Sequence, residues 1–247
     1  MKEYHVSENA EVGRNCRFGY NAVVEDGAFL GDGVVLGPGV VISSGVRLGG
    51  AVEVGPHSVL GRRPRAAASS VRGVCECGST LVIGAGSYMG ASVVMLSGSE
   101  LADDCFVGDL AAIREGCQLG EKVLIGRAVM VESRVRIGPS TRVQTGAYIT
   151  DETEIEDAAF IGPGVLTTND RYMSMWTEKT YRGPRIGRMA AIGAGAQLLA
   201  GITVGDKAVI GMGAVVIADV PPGRIFVGVP ARDVGEVRRP QSGIGTS

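Results

Sequence analysis

Apolar side chains recur at every sixth position over nearly the whole chain, and few folds can use that spacing. The series begins Val6, Val12, Phe18, Val24, Leu30, Leu36, Ile42, Leu48, Val54, Leu60. It resumes at Ile83 and runs through Met89, Met95, Leu101, Val107, Ile113, Leu119, Ile125, Val131, Ile137, Val143, Ile149 and Ile155 to Ile161. A third run is Ile186, Ile192, Leu198, Val204, Ile210, Val216. With 45% hydrophobic residues, thirty hits in thirty would arise by chance on the order of once in ten billion trials. A period of six is not the 3.6 of a helix, nor the simple alternation of a long flat strand. A short strand, a tight turn and another short strand satisfy it.

A second, smaller column lies two residues before each key position: Ala10, Cys16, Ala22, Ala28, Val34, Val40, and later Cys105, Ala111, Cys117, Ala190, Ala196, Ala208 and Ala214. Residues two apart share a strand face, so both columns point inward. The residue after the key position is Gly in eighteen of the thirty repeats, which suggests a corner where positive φ meets no Cβ clash. Three strands and three corners close a triangular coil. The expected fold is therefore an all-β solenoid of about ten triangular coils, stacked ~4.8 Å apart. Each coil is covered only by its neighbours.

Composition narrows the function. The net charge is −2 and no basic run is long, which argues against a nucleic-acid partner. Met1-Lys2-Glu3-Tyr4 leads straight into the repeats and no stretch approaches a membrane span, so a cytoplasmic protein without a membrane partner is expected. Cys16, Cys105 and Cys117 fall in the small inward column and read as reduced core fillers. Cys75 and Cys77 form a lone pair in a loop; with only His5 and His57 in the chain, no metal site is expected.

A regular prism has no pocket, so the breaks matter. One domain is expected over residues 1–232, with insertions near 62–80 and 168–185 and a tail at 233–247. The first insertion carries Arg62, Arg63, Arg65 and Arg72, either solvated or a clamp for an anion. The second holds Tyr172, Trp176 and Tyr181 among polar residues, and a long irregular loop in a tight fold points to function.

These residues resemble the hexapeptide-repeat acyltransferases over nearly the whole chain. The resemblance implies a left-handed parallel β-helix, an exception to the right-handed crossover. It also implies a homotrimer, with acetyl-CoA bound in the groove between neighbouring prisms. Residues 186–232 look like the family's cofactor-binding end, which places Gly193, Gly211 and Ala214 along the pantetheine and Arg185, Arg224 or Arg232 near the CoA phosphates. Thr168-Asn169-Asp170, after Ile161–Thr167, is similar to the nucleotide-sugar N-acetyltransferases, which acetylate an amine on a UDP- or dTDP-linked sugar. Those enzymes carry an acid one coil earlier. Here that position is Asp151, shorter than the Glu of relatives.

The two histidines bear on the acceptor. His57 lies more than five coils from Asn169, roughly 25 Å along the axis, and hydroxyl acceptors need a base. A sugar amine is already partly nucleophilic near neutral pH, and a carboxylate such as Asp151 could orient it and take a proton. The expectation is N-acetyl transfer from acetyl-CoA to a nucleotide-linked amino sugar. Asp151 and Asn169 would hold the amine, Asp170 would support the loop or the sugar, and backbone amides would stabilise the oxyanion. The shortage of histidines also argues strongly against the γ-class carbonic anhydrases, which share the solenoid but need a three-His metal site. An O-acyl or longer-chain acyltransferase of the same fold, and a non-catalytic scaffold, remain the alternatives.

Overall fold

The computed structural model describes residues 3–68, 73, 78, 80–173, 175 and 181–237. Arg72, Cys75, Cys77, Trp176 and residues 238–247 lie outside the described residues. Short strands, mostly of two residues, fall in rotation on three faces. The first face starts at His5–Val6 and has 11 strands, the second starts at Glu11–Val12 and has 10, and the third starts at Arg17–Phe18 and has 12. Strands pair in parallel one coil apart, as in His5↔Val23 and Glu11↔Phe29. This is the expected left-handed parallel β-helix. Its turn count is slightly above ten, because Thr167 fills a key position that an apolar series skips and Arg224–Val227 extends the third face.

Both inward columns form one continuous core. Ala22, Val24, Ala28, Leu30, Val40 and Ile42 are fully buried, and the pattern holds through Ile210 and Ala214. The first coil has no neighbour on its outer side, and Val12 is 41% exposed. At the other end Pro221 and Pro222 do not stop the sheet. Arg224–Val227 pairs in parallel with the Val209–Ile210 strand, and Arg232–Glu236 folds back on it antiparallel. That last strand runs beyond the domain end expected at 232 and lies across the open end of the third face.

The corner glycines play a different part from the one expected. Positive φ falls two residues later, at Asn15 (φ 60), Asn21 (φ 57) and His57 (φ 59), and among the corner glycines only Gly61 has it. What the others supply is room. A Cβ on Gly31 would stand 2.6 Å from Gly50 N, and one on Gly193 2.5 Å from Met212 N, so the next coil's backbone occupies that space. Aspartates finish these corners by accepting the amide of the coil before: Arg14 N–H to Asp32 at 2.7 Å, Ala85 N–H to Asp103 at 2.7 Å and Ala91 N–H to Asp109 at 2.8 Å.

The glycines are not shared evenly. Seventeen of the eighteen follow second-face or third-face strands, and only Gly61 follows a first-face strand. Both insertions leave from that glycine-poor corner. The first departs after the Val59–Arg62 strand and the second after Leu166–Thr167, each a first-face strand, and each rejoins on the second face at Val82–Ile83 and Arg185–Ile186. Their necks are stitched to the coils. The Arg62 and Thr80 carbonyls accept from Ser97 and Gly98, while Arg182 N–H donates to the Asn169 carbonyl and Gly201 N–H to that of Arg182.

Candidate active site

At the glycine-poor corner, residues one coil apart form polar ladders. One reads Arg114, Glu132, Thr150, Thr168; the next reads Glu115, Ser133, Asp151, Asn169; the third reads Gly116, Arg134, Glu152, Asp170. Asp151 and Asn169 thus stand one above the other, as their spacing requires. Between the two insertions lies a cavity of about 720 Å³, within the usual range for small-molecule sites. Asp151, Asn169 and Asp170 line it together with Tyr181 from the second insertion and Arg62 and Arg65 from the first.

The ladder is held by charge pairing. Arg114 reaches Glu115 at 3.0 Å and Glu132 at 3.2 Å, and Glu115 is 2% exposed. Arg134 reaches Asp151 at 2.6 Å and Glu152 at 3.2 Å. A carboxylate as buried as that of Asp151 needs such a partner to remain charged. Burial, and then the neighbouring Glu132 carboxylate, pushes the Tyr148 phenol above its ordinary value, so it stays a neutral donor on the cavity wall. Thr167 anchors the floor: its hydroxyl accepts Thr150 N–H at 2.7 Å and donates to the Tyr148 carbonyl at 3.2 Å. Asp170 accepts Tyr172 N–H at 2.9 Å, turning the chain into the insertion. Arg171 ties the insertion to the Ile217 carbonyl at 3.3 Å.

The residues expected at the cofactor end do not line this cavity. Arg185 lies on the second face, bound to Glu156 at 2.5 Å. Gly193 and Gly211 form the corner between the third and first faces, packed on the coil that follows each. Ala214 is fully buried, its amide given to Gly211 and its carbonyl taken by Gln197. Arg224 is paired with Asp233 at 2.8 Å and Glu236 at 3.3 Å, whereas the guanidinium of exposed Arg232 meets, among the described residues, only the Ala231 carbonyl, at 3.0 Å. His57 occupies a turn at the same corner as Gly193, away from the polar ladders.

Reasoning from the sequence missed Arg114, Glu115, Glu132, Arg134 and Tyr148. Their signal was available: the glycine that follows most key residues is absent after Ile113, Val131 and Ile149. Among the described residues no cluster of His, Cys, Asp and Glu is arranged to hold a metal, and no helix is long and apolar enough to cross a membrane.

A family model described as the hexapeptide repeat of succinyl-transferase matches residues 10–44 and 185–218. No curated protein matches the chain. Among solved structures it is similar to LpxA of Acinetobacter baumannii (12% identity, 96% of this chain and 73% of that one, TM-score 0.47). It is also similar to a UDP-N-acetylglucosamine acyltransferase from Campylobacter jejuni (16% identity, 96% and 74%, TM-score 0.43). A third is a hexapeptide-repeat-containing acetyltransferase from Vibrio cholerae, complexed with acetyl-CoA (24% identity, 50% and 72%, TM-score 0.42).

Proposed function

We propose that this chain, a member of the hexapeptide-repeat β-helix family, is an acyltransferase that moves the acetyl group of acetyl-CoA to the amine of a nucleotide-linked amino sugar. The carrying observation is the cavity itself: Asp151, Asn169 and Asp170 meet there beside Glu132, and neither histidine of the chain belongs to its wall. Carboxylates attract a protonated amine and orient its neutral form. Asp151, bridged to Arg134, holds the amine together with Asn169 and takes its departing proton, while Asp170, which accepts Tyr172 N–H, supports the loop beside the sugar. Backbone amides of the thioester groove would stabilise the oxyanion. Acetyl-CoA supplies the activated acyl group. Arg232 suits its phosphates better than Arg224 or Arg185, which already have carboxylate partners.

The outer surfaces support a homotrimer. Outward residues of the second face are mostly polar, among them Glu11, Arg47, Glu100, Gln118, Arg136, Glu154 and Arg185, a surface suited to water and interrupted by half-buried Phe29 and Val82. The first face presents Met130 and Leu166, the third face stacked Tyr88 and Phe106, and the edge between them Tyr20, Leu110 and Met212, all exposed. Covering that edge and its two flanks in a three-fold assembly would bury the apolar side chains. It would also set the cavity beside a subunit boundary. The soluble substrates suit a cytoplasmic enzyme.

The test is an acceptor screen with acetyl-CoA, read by release of free thiol, using UDP- and dTDP-linked amino sugars beside hydroxyl acceptors and longer acyl donors. Turnover confined to amine acceptors is expected. Transfer only to hydroxyls would replace this reading with the O-acyl one, and absence of acetyl-CoA binding at millimolar concentration would remove both.

A further inference from the structure

We propose that the first insertion is the substrate-recognition arm of this site, with Arg62 and Arg65 binding the pyrophosphate of a nucleoside-diphosphate-linked acceptor. The inference rests on the acetyl-transfer reading for the identity of the acceptor, but its physical basis is separate.

The first support is the way the chain delivers Arg62. Its strand, Val59–Arg62, pairs Leu60 with Met95 and Arg62 with Leu96, so Gly61 is an extra residue in the ladder. Gly61 is the one glycine that directly follows a first-face key residue, with φ +86, and a Cβ there would fall 2.1 Å from Val46 Cγ2. A bulge of this kind turns the following side chain out of the regular alternation. The Ser97 amide then fixes the Arg62 carbonyl at 3.1 Å, so the turn is locked to the next coil and the side chain joins the cavity wall. A bulged glycine that no side-chain-bearing residue could replace, and a broken register, are not needed merely to expose an arginine.

The second support is charge. Arg114 and Arg134, deeper in the cavity, are neutralised by Glu115, Glu132, Asp151 and Glu152. Arg62 and Arg65 line the same cavity with no carboxylate partner among the described residues. The cavity therefore has two unlike ends, one with unneutralised guanidinium forks and one with Asp151, Asn169 and Asp170. Forked donors match phosphate oxygens two at a time. A ligand complementary to both ends carries a phosphate group at one end and an amine at the other.

The third support is length. From the strand of Leu96 to the strand of Thr167 the first face steps through four strand spacings, ~19 Å at ~4.8 Å each. That exceeds a single sugar ring and suits an extended ligand such as a nucleotide-linked sugar. The pyrophosphates of such an acceptor and of CoA share one chemistry, and the position of Arg62 and Arg65, opposite Asn169 and apart from Arg232, favours the acceptor.

The experiment is calorimetric titration of the full-length protein with UDP, dTDP, inorganic pyrophosphate and acetyl-CoA, repeated on the Arg62→Ala/Arg65→Ala double variant and on Arg63→Ala. Arg63 is exposed and lies outside the cavity wall, so its variant is the control for surface charge. The expected result is at least ~10-fold weaker binding of nucleoside diphosphate and pyrophosphate to the double variant, with acetyl-CoA affinity and thermal unfolding unchanged. Equal nucleoside-diphosphate binding by both proteins overturns the proposal. So does wild-type protein that binds acetyl-CoA but neither nucleoside diphosphate nor pyrophosphate, a result that leaves the acetyl-transfer reading standing. Weakened acetyl-CoA binding alone assigns the arginines to the cofactor and also overturns it. Nucleoside diphosphate bound through these arginines without any acetyl-CoA binding keeps the recognition arm and removes the acyltransferase reading.

Discussion

Two of the three corners of this prism are built by subtraction and the third by addition. At the second-face and third-face corners, glycine removes the side chain so that successive coils close to backbone contact, and an aspartate caps the amide left over. At the first-face corner the side chains stay, stack coil on coil and pair by charge, and both insertions start there. A solenoid repeats its geometry along the axis, but it can give each edge a separate task. Close packing on two edges holds the coils in register, and this leaves the remaining edge open to polar groups that contribute little to packing.

The strongest way to break that contrast is to fill a packed corner. A Cβ on Gly126 would lie 2.6 Å from Thr145 N and 2.8 Å from Gln144 C, both backbone atoms that cannot move without shifting a coil. Gly126→Ala is expected to destabilise the protein by about 3 kcal/mol, the upper end of ordinary overpacking, read as a lower urea midpoint. A loss below about 1 kcal/mol would mean that the glycine corners are not held by fit.

The contrast was partly legible in the sequence. The six-residue series specified the three faces, the inward columns and even the pairing of Asp151 with Asn169, because each depends only on counting along one chain. Leu60 ends the tenth repeat and Thr167 the twenty-fifth, and both numbers leave a remainder of one on division by three. The common corner of the two insertions was thus present in that arithmetic, as was the missing glycine after Ile113, Val131 and Ile149. The reason for the glycines was not legible: positive φ and close approach favour the same residue, and only the neighbouring coil distinguishes them. Nor did spacing show that Asp151 would be bridged to Arg134, since seventeen residues separate them and the contact depends on how a turn aims its side chain.

The next test exchanges the two kinds of corner in the opposite sense, altering chemistry with little change in shape. Asp151→Asn keeps the volume and removes the charge that faces Arg134, which retains Glu152 as a partner at 3.2 Å. Amine acetylation is expected to slow by about 100-fold, the lower end of what positioned acid–base groups contribute, while acetyl-CoA binds as before. Unchanged turnover would take Asp151 out of the reaction and leave it a purely structural anion.

The smallest effect is expected at a capped glycine corner, where charge assists packing without replacing it. Hydrogen bonds from the Arg14 guanidinium and then the Arg14 amide hold the Asp32 carboxyl below the usual carboxylate range. Both side chains are well exposed, so the interaction is screened by water and salt. The sign follows from the depressed value: the folded state prefers the ionised acid, so its contribution is complete above the unfolded carboxyl's pKa and disappears as pH falls through the folded one. Asp32→Asn should therefore lower the unfolding midpoint slightly at pH 7, and the difference from wild type should shrink from about pH 4 downward and also in high salt. If instead it matched Gly126→Ala in size and ignored pH, the corners would be held together by their capped amides and not by backbone contact. The division between packed edges and a chemical edge would then lose its physical basis.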